Sequence, residues 1–135
     1  MESPHKGKEV GWRTQILPQK TRRALEFLST QDWMKHDDWY LAGGTALALH
    51  EGHRTSLDLD FFYPRKNFNL ARLLSSLSGD KWEVDIAEEG TVYASLLGAK
   101  VSFIAYPFFV SKQVPHWFGT IRVLQPRDII VMKTI

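Results

Sequence analysis

The feature that most constrains the fold of this chain is a pair of strand patterns joined by a glycine turn and a short helix pattern. Residues 39–42 form an aromatic-rich apolar run that stops at Gly43-Gly44, which is typical of a buried strand followed by a tight turn. Residues 45–51 contain strong helix formers and begin with Thr45, a residue type that caps helices. The local order is therefore predicted to be strand, glycine turn and helix.

The second strand pattern carries a pair of acidic residues. Residues 56–62 alternate strictly, so Asp58 and Asp60 are expected on one face of a strand. Two carboxylates this close repel each other unless a cation lies between them, and magnesium prefers such oxygen ligands together with substrate phosphates. The glycine turn at a helix N-terminus exposes backbone N–H groups that favour a phosphate. If the two strands are neighbours, phosphate and metal meet at one place.

The rest of the chain predicts an α/β fold with a mixed central sheet flanked by helices. Helices are expected at residues 21–31, after a cap at Asn67, and from Pro126 onward. Strands are expected at residues 82–87, 91–97, 100–106 and 121–124, with hairpin turns at Glu89-Gly90 and Gly98-Ala99.

Composition narrows the class of protein. No cysteine is present, which excludes disulfides and thiolate metal sites, and no phosphate-binding P-loop or G-x-S-x-G motif occurs.

Residues 1–18 are polar and lack a period, so we expect a flexible arm there and one core domain over residues 19–135. No stretch has the length of a membrane span, which favours a soluble cytoplasmic protein without a membrane partner. A net charge of +2 does not by itself indicate nucleic-acid binding.

The segment from residue 40 to residue 62, YLAGGTALALHEGHRTSLDLDFF, resembles the signature of AbiEii/AbiGii nucleotidyltransferases in the DNA polymerase beta-like superfamily. A looser resemblance extends through residues 100–107 to residues 128–133. Members are bacterial abortive-infection and toxin–antitoxin toxins. The resemblance implies a metal-dependent transferase that moves a nucleoside monophosphate from a nucleoside triphosphate (NTP) to an acceptor. It also implies a cognate antitoxin partner and makes transfer RNA a reasonable acceptor.

The resemblance also assigns roles to individual residues, which are taken over position by position. Gly43, Gly44 and Thr45 would hold the nucleotide phosphates, and Asp58 and Asp60 would bind Mg²⁺ and serve catalysis. Lys133 resembles a lysine that the family places near the site, and a solvated helix residue is the alternative. Beside the motif, Arg54 either neutralises a phosphate or pairs with an aspartate.

Two departures from the family pattern affect the expected activity. The superfamily usually has a third carboxylate on a later strand, where this sequence has Ser102; Glu83, Asp85 or Glu88 are the candidates to replace it. Members also continue past Lys133 into a helical segment, so the sequence is expected to be a fragment, a truncated product or a minimal relative. A weakly active or inactive nucleotide- or protein-binding relative is therefore the alternative function, and a small-molecule (antibiotic) nucleotidyltransferase is another.

Two further features have competing interpretations. His50, Glu51 and His53 could be interpreted as a zinc cluster, but the nearby Asp58 and Asp60 favour a hard cation. The alternative for His50 is that it ends a helix, where a charged imidazole is favourable. The aromatic residues at 106–110 and 115–118 either stack on a base or fill the core, and core packing is the more common role of large aromatic side chains.

Overall fold

The computed structural model describes Trp12 and residues 14–51, 58–109 and 113–133 of the chain. After a short 3-10 turn at Thr14–Ile16, five helices and seven strands follow in these ranges. The helices are α1 (Gln19–Leu28), α2 (Asp32–His36), α3 (Gly43–Glu51), α4 (Leu70–Ser76) and α5 (Pro126–Lys133), and the strands are β1 (Tyr40–Ala42), β2 (Asp58–Tyr63), β3 (Trp82–Glu88), β4 (Thr91–Leu96), β5 (Ala99–Ala105), β6 (His116–Phe118) and β7 (Ile121–Val123).

The seven strands form one mixed sheet, which confirms the predicted fold class. Their order is β3-β4-β5-β2-β1-β7-β6, with β2 at the centre. Strand β2 is antiparallel to β1 and parallel to β5. The two predicted strands of the motif are therefore direct neighbours, and Ala42 lies opposite Asp60.

One face of the sheet forms the hydrophobic core. The alternating residues Leu59 and Phe61 of β2 are fully buried, as is Phe103 of β5. Helix α1 covers this face because Ala24, Leu25 and Leu28 recur at helical spacing, as predicted. Burial of these large side chains supplies the main stabilisation of a domain of this size.

Several element boundaries differ from the sequence predictions for local reasons. The asparagine that caps α4 is Asn69, whose side chain accepts a hydrogen bond from the Arg72 amide at 3.0 Å, so the prediction of Asn67 is wrong. The turn between β4 and β5 is Leu97-Gly98, one residue earlier than predicted. Both residues have positive φ angles, as a two-residue hairpin turn of type I′ requires.

Part of the stretch that was predicted to be a flexible arm packs on the body. Leu17 is buried in the core, and the ring of Trp12 lies 5.0 Å from that of His50 and 5.8 Å from that of Phe118. The remaining residues of that prediction, 1–11 and 13, lie outside the described residues. Within the part of the chain that the structure describes, no helix has the length and apolar character needed to cross a membrane.

Candidate active site

The site begins where β1 ends and α3 starts. Gly43 has a φ of +74°, a conformation that side-chain-bearing residues rarely adopt. A Cβ atom added at Gly43 would lie 2.8 Å from Oδ2 of Asp60, so the carboxylate lies directly against the glycine backbone. The glycine is therefore required both by the turn and by the close approach of Asp60.

Thr45 connects the helix to the acidic strand. Its side chain is fully buried, and its hydroxyl donates a hydrogen bond to the backbone carbonyl of Asp58. Helix α3 begins at Gly43, two residues earlier than predicted, so Thr45 lies inside the first turn instead of capping it. Because the Thr45 hydroxyl is occupied by Asp58, any contact of this residue with a phosphate would have to use its backbone N–H.

The two aspartates have different environments. Asp58 is exposed, whereas Asp60 is half-buried and its Oδ1 accepts a hydrogen bond from the Ser102 hydroxyl at 2.8 Å. Burial raises the pKa of Asp60, and the charge of Asp58 raises it further, while the Ser102 hydrogen bond lowers it. Burial has the largest effect on this pKa, so the native fold holds Asp60 against a desolvation cost.

Strand β5 adds two side chains to the same face of the sheet. Ser102 lies opposite Asp60, which is the position that was predicted for a third carboxylate, and Lys100 lies opposite Asp58. Lys100 was not predicted to be a site residue. The sequence contains a signal for Lys100, because Lys100 and Ser102 have the same two-residue spacing as the two aspartates. Their strand pairs in register with the strand of the aspartates.

These residues line a cavity of about 370 Å³ on the open face of the sheet. Asp85 of β3 also lines it, because a bulge in the β3–β4 pairing between Val84 and Ile86 adds an unpaired residue at this position. Of the three candidates for a replacement carboxylate, Asp85 alone lines this cavity; Glu83 and Glu88 do not. Tyr93 of β4 lines the cavity as well and was not predicted from the sequence.

Four of the residues singled out from the sequence are only partly described or undescribed. Arg54 and His53 lie outside the described residues, and Glu51 ends α3 but its side chain is not described. The backbone of Lys133 belongs to α5, which packs against α3, but its side chain is not described. Nε2 of His50 lies 2.9 Å from the carbonyl oxygen of Leu124. Because a carbonyl oxygen can only accept, Nε2 donates this hydrogen bond.

The donor set suits a hard divalent cation. Two carboxylates project from one strand face, and the Asp60 carboxylate lies against the Gly43 backbone, where a side chain would displace it. Within the described ranges, no three His, Cys, Asp or Glu side chains come close enough to hold a metal together. A cation here would therefore depend on Asp58 and Asp60 and would take its remaining ligands from water and substrate.

Comparison with protein-family models matches residues 27–135 to the family described as nucleotidyl transferase AbiEii toxin, Type IV TA system. The match covers both the glycine turn and the aspartate pair. The uncharacterized protein aq_aa25 of Aquifex aeolicus (strain VF5) is 36% identical over 105 residues, which cover 73% of this chain and 50% of the relative.

Two solved structures from Helicobacter pylori share the fold. JHP933 has a TM-score of 0.52 at 19% identity, over 87% of this chain and 57% of that chain. A second protein, which carries a provisional nucleotidyltransferase name, has a TM-score of 0.51 at 20% identity, over 82% of this chain and 55% of that chain. The chain thus spans about half the length of these relatives.

Proposed function

Because this chain belongs to the AbiEii nucleotidyl transferase toxin family, we propose that it transfers a nucleoside monophosphate from an NTP to an acceptor. The observation that carries the proposal is the contact between the two halves of the motif, in which Oδ2 of Asp60 lies against Gly43. A phosphate-binding turn and a carboxylate pair are thereby supported as parts of one site.

The proposed reaction is a displacement at the α-phosphorus of the NTP. The acceptor oxygen forms a bond to this phosphorus, the bond to the bridging oxygen breaks, and pyrophosphate leaves with the electron pair while the acceptor proton passes to water. Mg²⁺ bound through Asp58 and Asp60 would supply the positive charge that neutralises the triphosphate. The protein's own part is positioning and electrostatic complementarity.

The chain's residues have distinct proposed tasks. The backbone N–H groups of Gly43, Gly44 and Thr45 lie in the first turn of α3 and would donate hydrogen bonds to the phosphates. The hydrogen bond from Thr45 to the Asp58 carbonyl fixes the distance between this turn and the carboxylates. Arg54 remains a prediction from its place near the aspartates, either as a phosphate-neutralising cation or as the partner of an aspartate. Lys133, as a catalytic residue, remains a prediction from the family resemblance.

The cellular setting is also a proposal. The family description supports a toxin role with a cognate antitoxin, whereas the cytoplasmic location and transfer RNA as the acceptor stay predictions. A second candidate function is nucleotide binding with weak or no transfer. It is favoured by the neutral Ser102 hydroxyl beside Asp60, where the superfamily usually has a carboxylate.

Incubation of the chain with each labelled NTP, Mg²⁺ and a mixture of cellular RNA and protein tests the proposal. We expect label on one acceptor class, lost on metal chelation and in Asp60→Asn, but kept in Asp80→Asn, which removes an exposed carboxylate in a turn. Magnesium-dependent NTP binding without transfer would favour the second candidate. Neither binding nor transfer would contradict both.

A further inference from the structure

Ser102 lies where a third carboxylate would help to hold a second metal ion beside the one that Asp58 and Asp60 would bind. Its hydroxyl is 8% exposed and is engaged with Oδ1 of Asp60. A neutral hydroxyl contributes no negative charge, so it cannot hold a second divalent cation in the way a carboxylate does. Another group must provide that charge if transfer is to be efficient.

Asp85 is too far from Asp60 to replace the missing carboxylate. The sheet order places β5 and β4 between β2 and β3, so three strand spacings separate the two residues. At about 4.8 Å per spacing, their backbones are about 14 Å apart, which is beyond the reach of one shared metal ion. The absence of a three-acid metal group among the described residues agrees with this distance.

Lys100 lies where a positive charge is needed. It is two residues before Ser102 on the same face of β5, and its Cα partner on β2 is Asp58. Its side chain lines the cavity that contains both aspartates. Among the described residues, none forms an ion pair with Lys100, so its ammonium group is available to a ligand.

We propose that the Lys100 ammonium takes the place of a second metal ion, so that the site works with one divalent cation. This inference rests on the proposed function and extends it to a residue outside the family motif quoted above. The Lys100 ammonium group donates hydrogen bonds to phosphate oxygens of the NTP, as a lysine point charge does at other phosphate sites. Asp58 and Asp60 would hold the metal, and Lys100, on the neighbouring strand, would neutralise phosphate charge that the single metal leaves.

Titration with Mn²⁺, followed by electron paramagnetic resonance, counts the metal ions directly. In the presence of a non-hydrolysable NTP analogue we expect one Mn²⁺ per wild-type chain. The double variant Lys100→Ala/Ser102→Asp regains a third carboxylate beside Asp60 and should bind two. Two ions in the wild type would overturn the proposal, and so would one ion in the folded double variant.

Affinity for the same analogue provides the second readout. Lys100→Ala should weaken binding by about tenfold to a hundredfold, as expected for loss of a charge-assisted hydrogen bond, and Lys100→Arg should restore part of it. Lys81→Ala is the matched control, because Lys81 is exposed and does not line the cavity. Unchanged affinity in Lys100→Ala would overturn this inference alone, whereas a wild type that binds no analogue would contradict the proposed function as well.

Discussion

The two faces of strand β2 contribute to the protein in opposite ways. On one face Phe61 is fully buried and stacks on Phe103, with ring centroids 5.6 Å apart. On the other face Asp58 is exposed, and Asp60 is held half-buried with a raised pKa. Apolar burial stabilises the fold, whereas burial of a carboxylate costs stability. One face therefore holds the strand in place, and the other uses that placement to position charges.

The largest expected effect comes from the core face. Phe61→Ala should lower the free energy of unfolding by about 3–5 kcal/mol, because it removes a fully buried ring and leaves a cavity. Urea unfolding followed by circular dichroism measures this loss. A change below about 1 kcal/mol would mean that the core face does not hold β2, and the contrast between the faces would fail.

Gly43→Ala is expected to affect stability and the site together. The positive φ costs about 1–2 kcal/mol for a residue with a Cβ, and the new methyl group would displace the Asp60 carboxylate. Magnesium-dependent NTP affinity should fall at least tenfold. The matched control is Gly90→Ala, where φ is +83° but nothing lies within 4 Å of the added Cβ. Equal loss of affinity in both variants would show that backbone strain, and not Asp60, is responsible.

Tyr40→Phe should raise stability slightly. The Tyr40 hydroxyl is buried and has no hydrogen-bond partner among the described residues, and an unpaired buried hydroxyl costs on the order of 1 kcal/mol. Urea unfolding at neutral pH should show a gain of about this size. Tyr93→Phe, at an exposed tyrosine, should leave stability unchanged. A clear loss in Tyr40→Phe would indicate that the hydroxyl is satisfied.

The same tyrosine predicts a pH dependence. Burial, and to a lesser extent Tyr106, raise the pKa of Tyr40 above its ordinary value of 10.0. The unfolded chain therefore loses this proton first as the pH rises, and the folded state loses stability above about pH 10. Tyr40→Phe should reduce that alkaline loss. An identical alkaline profile in the two proteins would contradict the assignment.

Asp60→Asn should have the smallest effect on the metal-free fold. Because the folded pKa of Asp60 is raised, the unfolded chain deprotonates first as the pH rises from the ordinary value of 3.8, so the wild type loses stability through this interval. The variant lacks that loss and should be equally or slightly more stable at neutral pH. Urea unfolding in chelator measures the difference, with Asp80→Asn as the exposed control. A large loss of stability would mean that the carboxylate is structural.

The sequence predicted the parts of the fold that depend on local pattern. Alternation in residues 56–62 placed the aspartates on one face, and the glycine pair marked the end of β1. Strand β6 was missed, because three residues starting at His116 form a strand only through their pairing with β7. Helix α2 was also missed, since its five residues carry too little periodicity to predict a separate helix.

The site was predictable where it follows the motif and not where it depends on strand pairing. Lys100 became visible only once the parallel register of β2 and β5 placed it opposite Asp58. Asp85 lines the cavity, and Glu83 and Glu88 do not, because of a bulge that no alternation pattern indicates. Likewise, Thr45 was predicted to be a helix cap from its residue type, whereas its buried hydroxyl donates a hydrogen bond to the distant Asp58 carbonyl.

Calorimetric titration with a non-hydrolysable NTP analogue measures whether Asp58 and Asp60 form a metal-dependent nucleotide site. We expect binding to the wild type in Mg²⁺ that weakens at least tenfold in chelator, in Asp58→Asn and in Asp60→Asn. Asp80→Asn should bind normally, and circular dichroism should show that all four proteins are folded. Unchanged affinity in Asp60→Asn or without Mg²⁺ would contradict the assignment of the carboxylate pair to a metal-dependent nucleotide site.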